Sequence, residues 1–192
     1  GIMDDPSKNK HPKVIHTRPT PRGGGIPIFL SILFASLFLI PLDKHLVSIL
    51  AGAFLIFIMG FLDDKYNLNP YVRIAIGFLA ASIPIISGIG ISFLTNPLGG
   101  IIDLSNPLIS DLFALVWIVF MMNMLNMGAK GVDGQLSGVT VISALTITAL
   151  SFYYSADITQ WPVILLTSIT AGAFLGFLPW HKFPQKIMPG YG

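Results

Sequence analysis

Residues 112–134, LFALVWIVFMMNMLNMGAKGVDG, join a long apolar run to a group of amide and charged side chains. The run from 112 to 129 contains no Asp, Glu, Lys or Arg. About 20 apolar residues, at roughly 1.5 Å each, cross the hydrocarbon core of a bilayer, which is about 30 Å thick. Polar groups are costly at the rim of such a segment and usually mark a site. This stretch therefore predicts a membrane-spanning helix that ends in a functional site.

The rest of the chain has the same apolar character. Hydrophobic residues make up 53% of the 192 and charged residues 10%, which excludes an ordinary soluble domain. The uncharged runs do not alternate polar with apolar residues, so helices are favoured over a barrel. The sequence predicts one all-α domain over residues 1–192, a polytopic transmembrane helix bundle with six spans. The spans are expected within the uncharged runs 23–42, 45–62, 74–102, 112–129, 134–156 and 158–181.

The basic residues fall on one side of the predicted bundle. Of the 11 lysines and arginines, all but Lys44 lie in segments 1–25, 63–73, 128–135 and 181–192. The positive-inside rule makes these segments cytoplasmic. On the other side, residues 90–104 predict a short β-hairpin. The net charge of +2 gives no indication of a nucleic-acid partner, and the absence of cysteine excludes disulfides and thiolate metal sites.

Asp63 and Asp64 follow an apolar run and fall at the C-terminal end of the predicted second helix. The helix dipole there favours cations, and an anion costs a few tenths of a kcal/mol to about 1 kcal/mol. Two adjacent carboxylates also repel each other, and a nearby cation or metal would offset that repulsion. The alternative is a solvated loop start whose charge is partly neutralised by Lys65. The position at the end of a span favours a functional pair over that alternative.

Other polar residues of the same side are candidates for a site. Arg73 is either an ordinary interfacial anchor or a forked donor for a phosphate held above the Asp pair. Asn123 and Asn126, three positions apart, share one helical face and favour a pocket over packing between helices. Asp133, followed by Gly134, is either the N-cap of the next helix or a ligand-binding residue.

The N-terminal segment His16-Thr-Arg-Pro-Thr-Pro-Arg22-Gly-Gly-Gly25 precedes the first span. Its glycines allow backbone amides to approach phosphate oxygens, and arginine supplies paired donors. The alternative is a positively charged anchor followed by a flexible hinge. The segment is not a P-loop, because it lacks the Gly-Lys-Ser/Thr that ends that motif.

Together these segments resemble the polyprenyl-phosphate N-acetylhexosamine-1-phosphate transferases. The Pro-x-Pro-Arg form resembles the N-acetylglucosamine-1-phosphate branch more than the phospho-N-acetylmuramoyl-pentapeptide branch. The matching residues are His16-x-x-Pro-x-Pro-Arg-Gly-Gly, Gly60-Phe-Leu-Asp-Asp64 with Leu68-x-Pro70, Asn123-x-x-Asn126 with Asp133-Gly134, and Gly176-Phe-Leu-Pro-Trp180.

The resemblance implies an enzyme of the cytoplasmic face of the plasma (bacterial inner) membrane. With Mg²⁺, or Mn²⁺ in its place, a UDP-N-acetylhexosamine and polyprenyl (undecaprenyl) phosphate would give a polyprenyl-diphospho-sugar and UMP, initiating cell-envelope glycan synthesis. A second copy of the chain, in a homodimer, is a further expected partner besides the lipid bilayer. The resemblance also implies about ten spans. The chain is therefore expected to be an inactive fragment, without one preceding and several following spans.

The resemblance also implies roles for individual residues. Asp63 and Asp64 would form the catalytic pair, and Asp64 and Asn126 would contribute to the metal site. The substrate-binding residues would be His16, Arg22, Arg73, Asn123, Asp133 and Gly134.

The chain departs from the family pattern in three places. Met-Gly-Ala-Lys130 follows Asn126 where an aspartate is usual, and His181 stands where asparagine is usual. Tyr191 stands where the family has its main metal carboxylate, and a phenol is not a hard anionic ligand at neutral pH. These departures keep open an inactive, substrate-binding pseudoenzyme of the same fold. A small polytopic transporter is disfavoured, because it predicts charged residues at mid-membrane depth or paired interrupted helices.

Overall fold

The computed structural model describes residues 3–4, 20–128, 132–155 and 160–190. In this part of the chain six helices dominate, which confirms the all-α prediction. The helices are α1 Gly25–Leu39, α2 Lys44–Tyr66, α3 Pro70–Ile86, α4 Pro107–Gly128, α5 Gln135–Tyr153 and α6 Trp161–His181.

Four of the helices, α2, α4, α5 and α6, are long and apolar enough to cross a membrane. Helices α1 and α3 have 15 and 17 residues. They measure roughly 22 and 25 Å at 1.5 Å per residue, less than a hydrocarbon core of about 30 Å. The predicted runs 23–42 and 74–102 are therefore longer than the helices inside them. The second run turns at Gly88, which has a φ of +104°. A right-handed helix does not contain a residue with such a positive φ.

Helices α2 and α3 are joined by a turn of three residues. Asn67 ends α2 in the left-handed conformation, with φ at 52°. Asn69 begins α3 by accepting a hydrogen bond from the Tyr71 N–H at 2.9 Å, and Pro70 occupies the first helical position. Gly52 then lets α2 approach α3 closely, because a Cβ there would lie 2.8 Å from the Ala80 carbonyl oxygen. The turn thus brings the end of α2 against the first turn of α3.

Two short hairpin-like pairings accompany the helices. Strand β1, Met3–Asp4, pairs antiparallel with β2, Thr20–Pro21. Strand β3, Phe93–Thr95, pairs antiparallel with β4, Ile101–Asp103. The second pair confirms the hairpin predicted within residues 90–104.

The packing order places specific helix ends together. Helix α5 packs most extensively on α6, α2 on α3, and α1 on α6. A buried cluster of Ile40, Leu46 and Leu50 joins the end of α1 to the start of α2. At the other end of the bundle, contacts join the start of α1, the end of α2, the start of α5 and the end of α6. These are the ends that the charge distribution assigns to one side.

Large apolar side chains cover the outer surface of the helices. Phe38 on α1 is 85% exposed, and Trp117 and Phe120 on α4 are about half exposed. In water such a surface would drive association, whereas in a bilayer it contacts lipid. The exposed faces and the four membrane-length helices identify a multi-pass membrane protein.

Candidate active site

The segment that follows α6, residues 182–190, is the centre of the site and is called the strap here. Its Met188 N–H donates to the Pro21 carbonyl at 2.9 Å. The Met188 carbonyl in turn accepts from the Gly24 N–H at 2.9 Å, and the Pro189 carbonyl accepts from the Gly25 N–H at 2.8 Å. The strap therefore pairs main chain to main chain with the glycine-rich loop before α1.

This pairing corrects one hypothesis drawn from the sequence. The amides of Gly23, Gly24 and Gly25 were expected to approach phosphate oxygens, but all three donate to strap carbonyls. The glycines are needed for a different reason at position 24. A Cβ there would overlap the Phe177 ring and lie 2.9 Å from the Met188 carbonyl oxygen. Close approach of two loops, not phosphate binding, explains the glycine at position 24.

The strap also holds the turn between α4 and α5. The Gln185 N–H donates to Asp133 Oδ2 at 3.0 Å. Gly134 has φ at +84°, and a Cβ on it would lie 3.3 Å from the Lys182 Cα. Gly134, not Asp133, is the N-cap of α5, and it makes no side-chain capping bond. The N-cap interpretation of Asp133 is therefore wrong, because its carboxylate is turned toward the strap.

A buried polar pair lies beside this contact. His181 Nδ1 and Ser137 Oγ are 2.7 Å apart, and both residues are fully buried. The Phe177 ring lies 5.5 Å from the His181 ring, centroid to centroid. Sequence reasoning noted His181 only as a departure from the family pattern and did not single out Ser137. The pair joins α5 to α6 near Asp133, and the only sequence signal for it was a histidine at the end of an apolar helix.

Asp63 is 2% exposed and lies in the last turn of α2. Its Oδ1 accepts from the Leu68 N–H at 2.8 Å and lies 3.4 Å from Arg73 Nε. Lys65, which would partly neutralise the pair in the alternative interpretation, lies over the Tyr66 ring, 4.9 Å from its centroid. A solvated loop start therefore does not describe Asp63. The sequence suggested Arg73 as an interfacial anchor or a phosphate donor, and neither interpretation included this ion pair.

The surroundings of Asp64 differ from those of Asp63. It lines a small pocket together with the glycine-rich loop, the strap and two α2 phenylalanines; the other lining residues are Gly23, Gly25, Ile26, Phe57, Phe61 and Pro189. Gly190 of the strap, with φ at +80°, lies so close that a Cβ on it would collide with Asp64 Oδ2. The pocket thus joins a carboxylate to an apolar wall at the rim of the bundle.

Of the remaining candidate site residues, only some lie near the pocket. Arg22 is half-buried, and its main chain forms an isolated parallel β-bridge with the main chain of Met188 beside the pocket. Asn123 is exposed and donates to the Val119 carbonyl of its own helix at 2.8 Å. Asn126 is half-buried on α4, which packs mainly on α3. His16 and Tyr191 lie outside the described residues, as does Lys130.

The oxygen ligands available for a divalent ion come from the acidic pair. Among the described residues, no three His, Cys, Asp or Glu side chains are grouped to hold a metal. Mg²⁺, however, is usually bound through one or two carboxylates, substrate phosphates and several waters. Asp64 at the pocket meets that requirement, and within the described part of the chain Asp63 Oδ2 is a buried oxygen without a hydrogen-bond partner. The acidic pair therefore supplies hard oxygen ligands of the kind that Mg²⁺ prefers.

Membrane-length helices whose acidic and glycine-bearing ends meet at one rim define an integral membrane protein with a carboxylate site. The model of glycosyl transferase family 4 matches residues 46–191, and the chain belongs to this family. The resemblance to the N-acetylhexosamine-1-phosphate transferases is thereby confirmed.

Curated relatives agree with this assignment. The chain is 31% identical to the decaprenyl-phosphate N-acetylglucosaminephosphotransferase of Mycobacterium tuberculosis, over 92% of this chain and 47% of that protein. It is 28% identical to the probable undecaprenyl-phosphate N-acetylglucosaminyl 1-phosphate transferase of Bacillus subtilis, over 99% and 51%. It is 31% identical to the phospho-N-acetylmuramoyl-pentapeptide-transferase of Chlamydia muridarum, over 88% and 56%. The chain spans about half the length of these relatives.

Proposed function

We propose that the full-length protein transfers N-acetylhexosamine 1-phosphate from a UDP-sugar to polyprenyl phosphate and releases UMP. The observation that carries the proposal is the pocket at the rim of the bundle, where Asp64 meets the glycine-rich loop and the strap. Family membership and relatives named for phosphosugar transfer to decaprenyl or undecaprenyl phosphate support the same reaction. The product would begin a cell-envelope glycan.

The chemistry is a single phosphoryl displacement. An oxygen of the lipid phosphate attacks the β-phosphorus of the UDP-sugar, and the bond from that phosphorus to the UMP oxygen breaks. Catalysis of such a step is mostly positioning and charge stabilisation. The acidic pair Asp63–Asp64 lies at the end of a membrane-length helix, where a lipid head group and a water-soluble nucleotide can meet.

A bound Mg²⁺ would neutralise charge on the diphosphate. Asp64 is the first candidate to hold it, with Asp63 and Asn126 as further candidates, and Mn²⁺ is expected to substitute. Tyr191 does not supply the usual carboxylate, and the candidates to replace it are Asp63, Asp64 and Asp133. Recruitment of an existing carboxylate is the proposal for this branch.

Substrate binding is assigned to residues around the acidic pair. Arg22 beside the pocket is proposed to hold a phosphate, and His16 lies in the same N-terminal segment. Asp133 and Gly134 are proposed to contact the uridine, with Asn123 on the neighbouring helix end. Arg73 was predicted from the sequence to contact a phosphate as well, but its ion pair with Asp63 favours a structural role. A homodimer remains a prediction.

The site is proposed to face the cytoplasm. By sequence, ten of the eleven basic residues lie in segments 1–25, 63–73, 128–135 and 181–192, and positive charge is retained on the cytoplasmic side. UDP-sugars are cytoplasmic metabolites, so this orientation also places the donor on the correct side of the plasma membrane.

An inactive pseudoenzyme of the same fold is the second candidate, and the tyrosine at position 191 is the observation that favours it. The two functions separate in one experiment on the full-length protein in membranes. UDP-N-acetylglucosamine labelled in the sugar is supplied with undecaprenyl phosphate and Mg²⁺, and lipid-linked label and UMP are both measured. The enzyme gives both products, loses them with EDTA and keeps them in a Tyr191→Phe variant. A protein that binds the nucleotide sugar and gives no product with Mg²⁺ or Mn²⁺ is the pseudoenzyme.

A further inference from the structure

Asp63 and Asp64 are neighbours in sequence but not in environment. Successive residues of a helix point about 100° apart, given 3.6 residues per turn. Asp63 consequently points into the bundle and is 2% exposed, whereas Asp64 is partly exposed and lines the pocket. A buried carboxylate and a pocket carboxylate have different neighbours, and this difference decides what each can do.

Asp63, Leu68 and Arg73 contact one another at the end of α2. Asp63 Oδ1 accepts from the Leu68 N–H at 2.8 Å and pairs with Arg73 Nε at 3.4 Å. Arg73 Nη2 donates to the Leu68 carbonyl at 3.1 Å, which closes the group. One charge pair thus satisfies both backbone groups of the residue at the centre of the α2–α3 turn.

The Asp63 main chain joins the same turn. Its carbonyl accepts from the N–H of Asn67, the left-handed residue that ends α2, at 2.8 Å. A buried charge is tolerated only when it is paired and hydrogen-bonded, because removing an ion from water is costly. The pair with Arg73, whose side chain is 22% exposed, provides that compensation. The Asp63–Arg73 ion pair therefore stabilises the end of α2.

We infer that the two carboxylates have separate tasks: Asp64 contacts substrate, and Asp63 is a positioning residue that acts through Arg73. The group Asp63–Leu68–Arg73 fixes the last turn of α2, and that turn carries Asp64 to the pocket wall against Gly190. Arg73 is then a structural partner of Asp63 and not a phosphate ligand. The inference rests on the proposed function for its kinetic consequences, but its geometric part is independent of activity.

The geometric part is tested by thiol accessibility. Asp63→Cys and Asp64→Cys are made singly in the full-length protein, with any cysteine outside these 192 residues replaced, since the described chain has none. Two controls give the limits of the modification rate. Lys65→Cys is at an exposed position and sets the fast limit, and Ser36→Cys is fully buried and sets the slow limit. A charged methanethiosulfonate reagent should modify Asp64→Cys at least about tenfold faster than Asp63→Cys. Equal rates, or the reverse order, overturn the inference whether or not the protein is an enzyme.

The kinetic part is tested by removing both charges of the pair. Asp63→Asn leaves Arg73 without its counter-charge, and adding Arg73→Gln removes the uncompensated cation. The double variant should recover kcat at least about tenfold over Asp63→Asn, because coupled residues give non-additive effects. The control pair, Asp64→Asn with and without Arg73→Gln, should show no recovery. A double variant that melts like wild type and is no faster than Asp63→Asn assigns Asp63 a direct role and overturns the inference.

A second variant covers the case in which Asp63→Asn does not fold. Arg73→Gln alone should lower kcat and leave the KM values for both substrates within about twofold, and Arg73→Lys should recover part of the loss by restoring the charge. A rise in KM for either substrate at unchanged kcat identifies Arg73 as a phosphate ligand and refutes the positioning role.

Discussion

The Gln185 N–H donates to Asp133 Oδ2 at 3.0 Å, although 52 positions separate the two residues. The bond joins the strap to the turn that begins α5. At its other end the strap is bonded to the glycine-rich loop through Met188 and Pro189. A segment of nine residues, 182–190, therefore holds the turn before α5, the loop before α1 and the Asp64 side of α2 in one arrangement.

The arrangement predicts a common side for these segments. In a full-length protein without other cysteines, Lys182→Cys should react with an impermeant thiol reagent only when the cytoplasmic face is open to it, because the basic segments remain inside. Lys44→Cys, at an exposed position near the opposite end of the bundle, should react from the outside. Labelling of Lys182→Cys in intact cells would reverse the proposed orientation.

Asp64 is expected to be essential for transfer. Replacing it with asparagine removes the charge at the pocket and should lower kcat by at least about a hundredfold, the range seen when one preorganised electrostatic group is lost. Asp103→Asn, on the exposed strand β4, is the matched control and should keep wild-type transfer. Product formation is measured in membranes that contain equal amounts of each protein. Wild-type turnover by Asp64→Asn would leave the acidic pair without a catalytic role.

Gly190→Ala should damage both stability and activity. The alanine would hold an unfavourable positive φ and press its Cβ against Asp64 Oδ2, and backbone strain of this kind costs about 1–3 kcal/mol. Gly99→Ala is a matched control, because Gly99 also has positive φ, at +111°, but has no atom within 4 Å of a built Cβ. Both variants should melt at lower temperature, and only Gly190→Ala should lose transfer activity. Equal activity in the two variants would show that the strap does not shape the pocket.

Ser137→Ala should destabilise the α5–α6 pair. The change leaves His181 Nδ1 buried without its partner, and an unsatisfied buried polar group costs about 1–3 kcal/mol. Thr146→Ala on the same helix is the control, since its hydroxyl is exposed and bonds to the Ile142 carbonyl of α5 itself. Thermal unfolding in detergent should separate the two variants. A melting temperature for Ser137→Ala that matches Thr146→Ala would mean that the buried pair contributes little.

Hydropathy was enough to predict six helices, because the cost of burying charge in lipid leaves a strong pattern in a sequence. The same pattern could not give the ends of α1 and α3. A run without charge includes turns such as Gly88 as readily as helix, so the runs 23–42 and 74–102 were longer than the helices within them.

The neighbours of each candidate residue were beyond sequence reasoning for a different reason. Asp63 and Arg73 pair because a three-residue turn, ended by the left-handed Asn67, brings the first turn of α3 back to α2. Gln185 reaches Asp133 because α5 and α6 pack side by side along their length. Such contacts depend on the path of the chain, and residue type alone does not reveal them.

The joint between the glycine-rich loop and the strap consists of main-chain hydrogen bonds from Gly24 and Gly25 to Met188 and Pro189. Main-chain atoms are the same in every residue, so a substitution at 188 can alter the side chain without removing an acceptor from the joint. The donor side is less tolerant, because a Cβ at position 24 would meet Phe177. The joint can therefore persist when side chains on the strap change, while position 24 of the loop stays restricted to glycine.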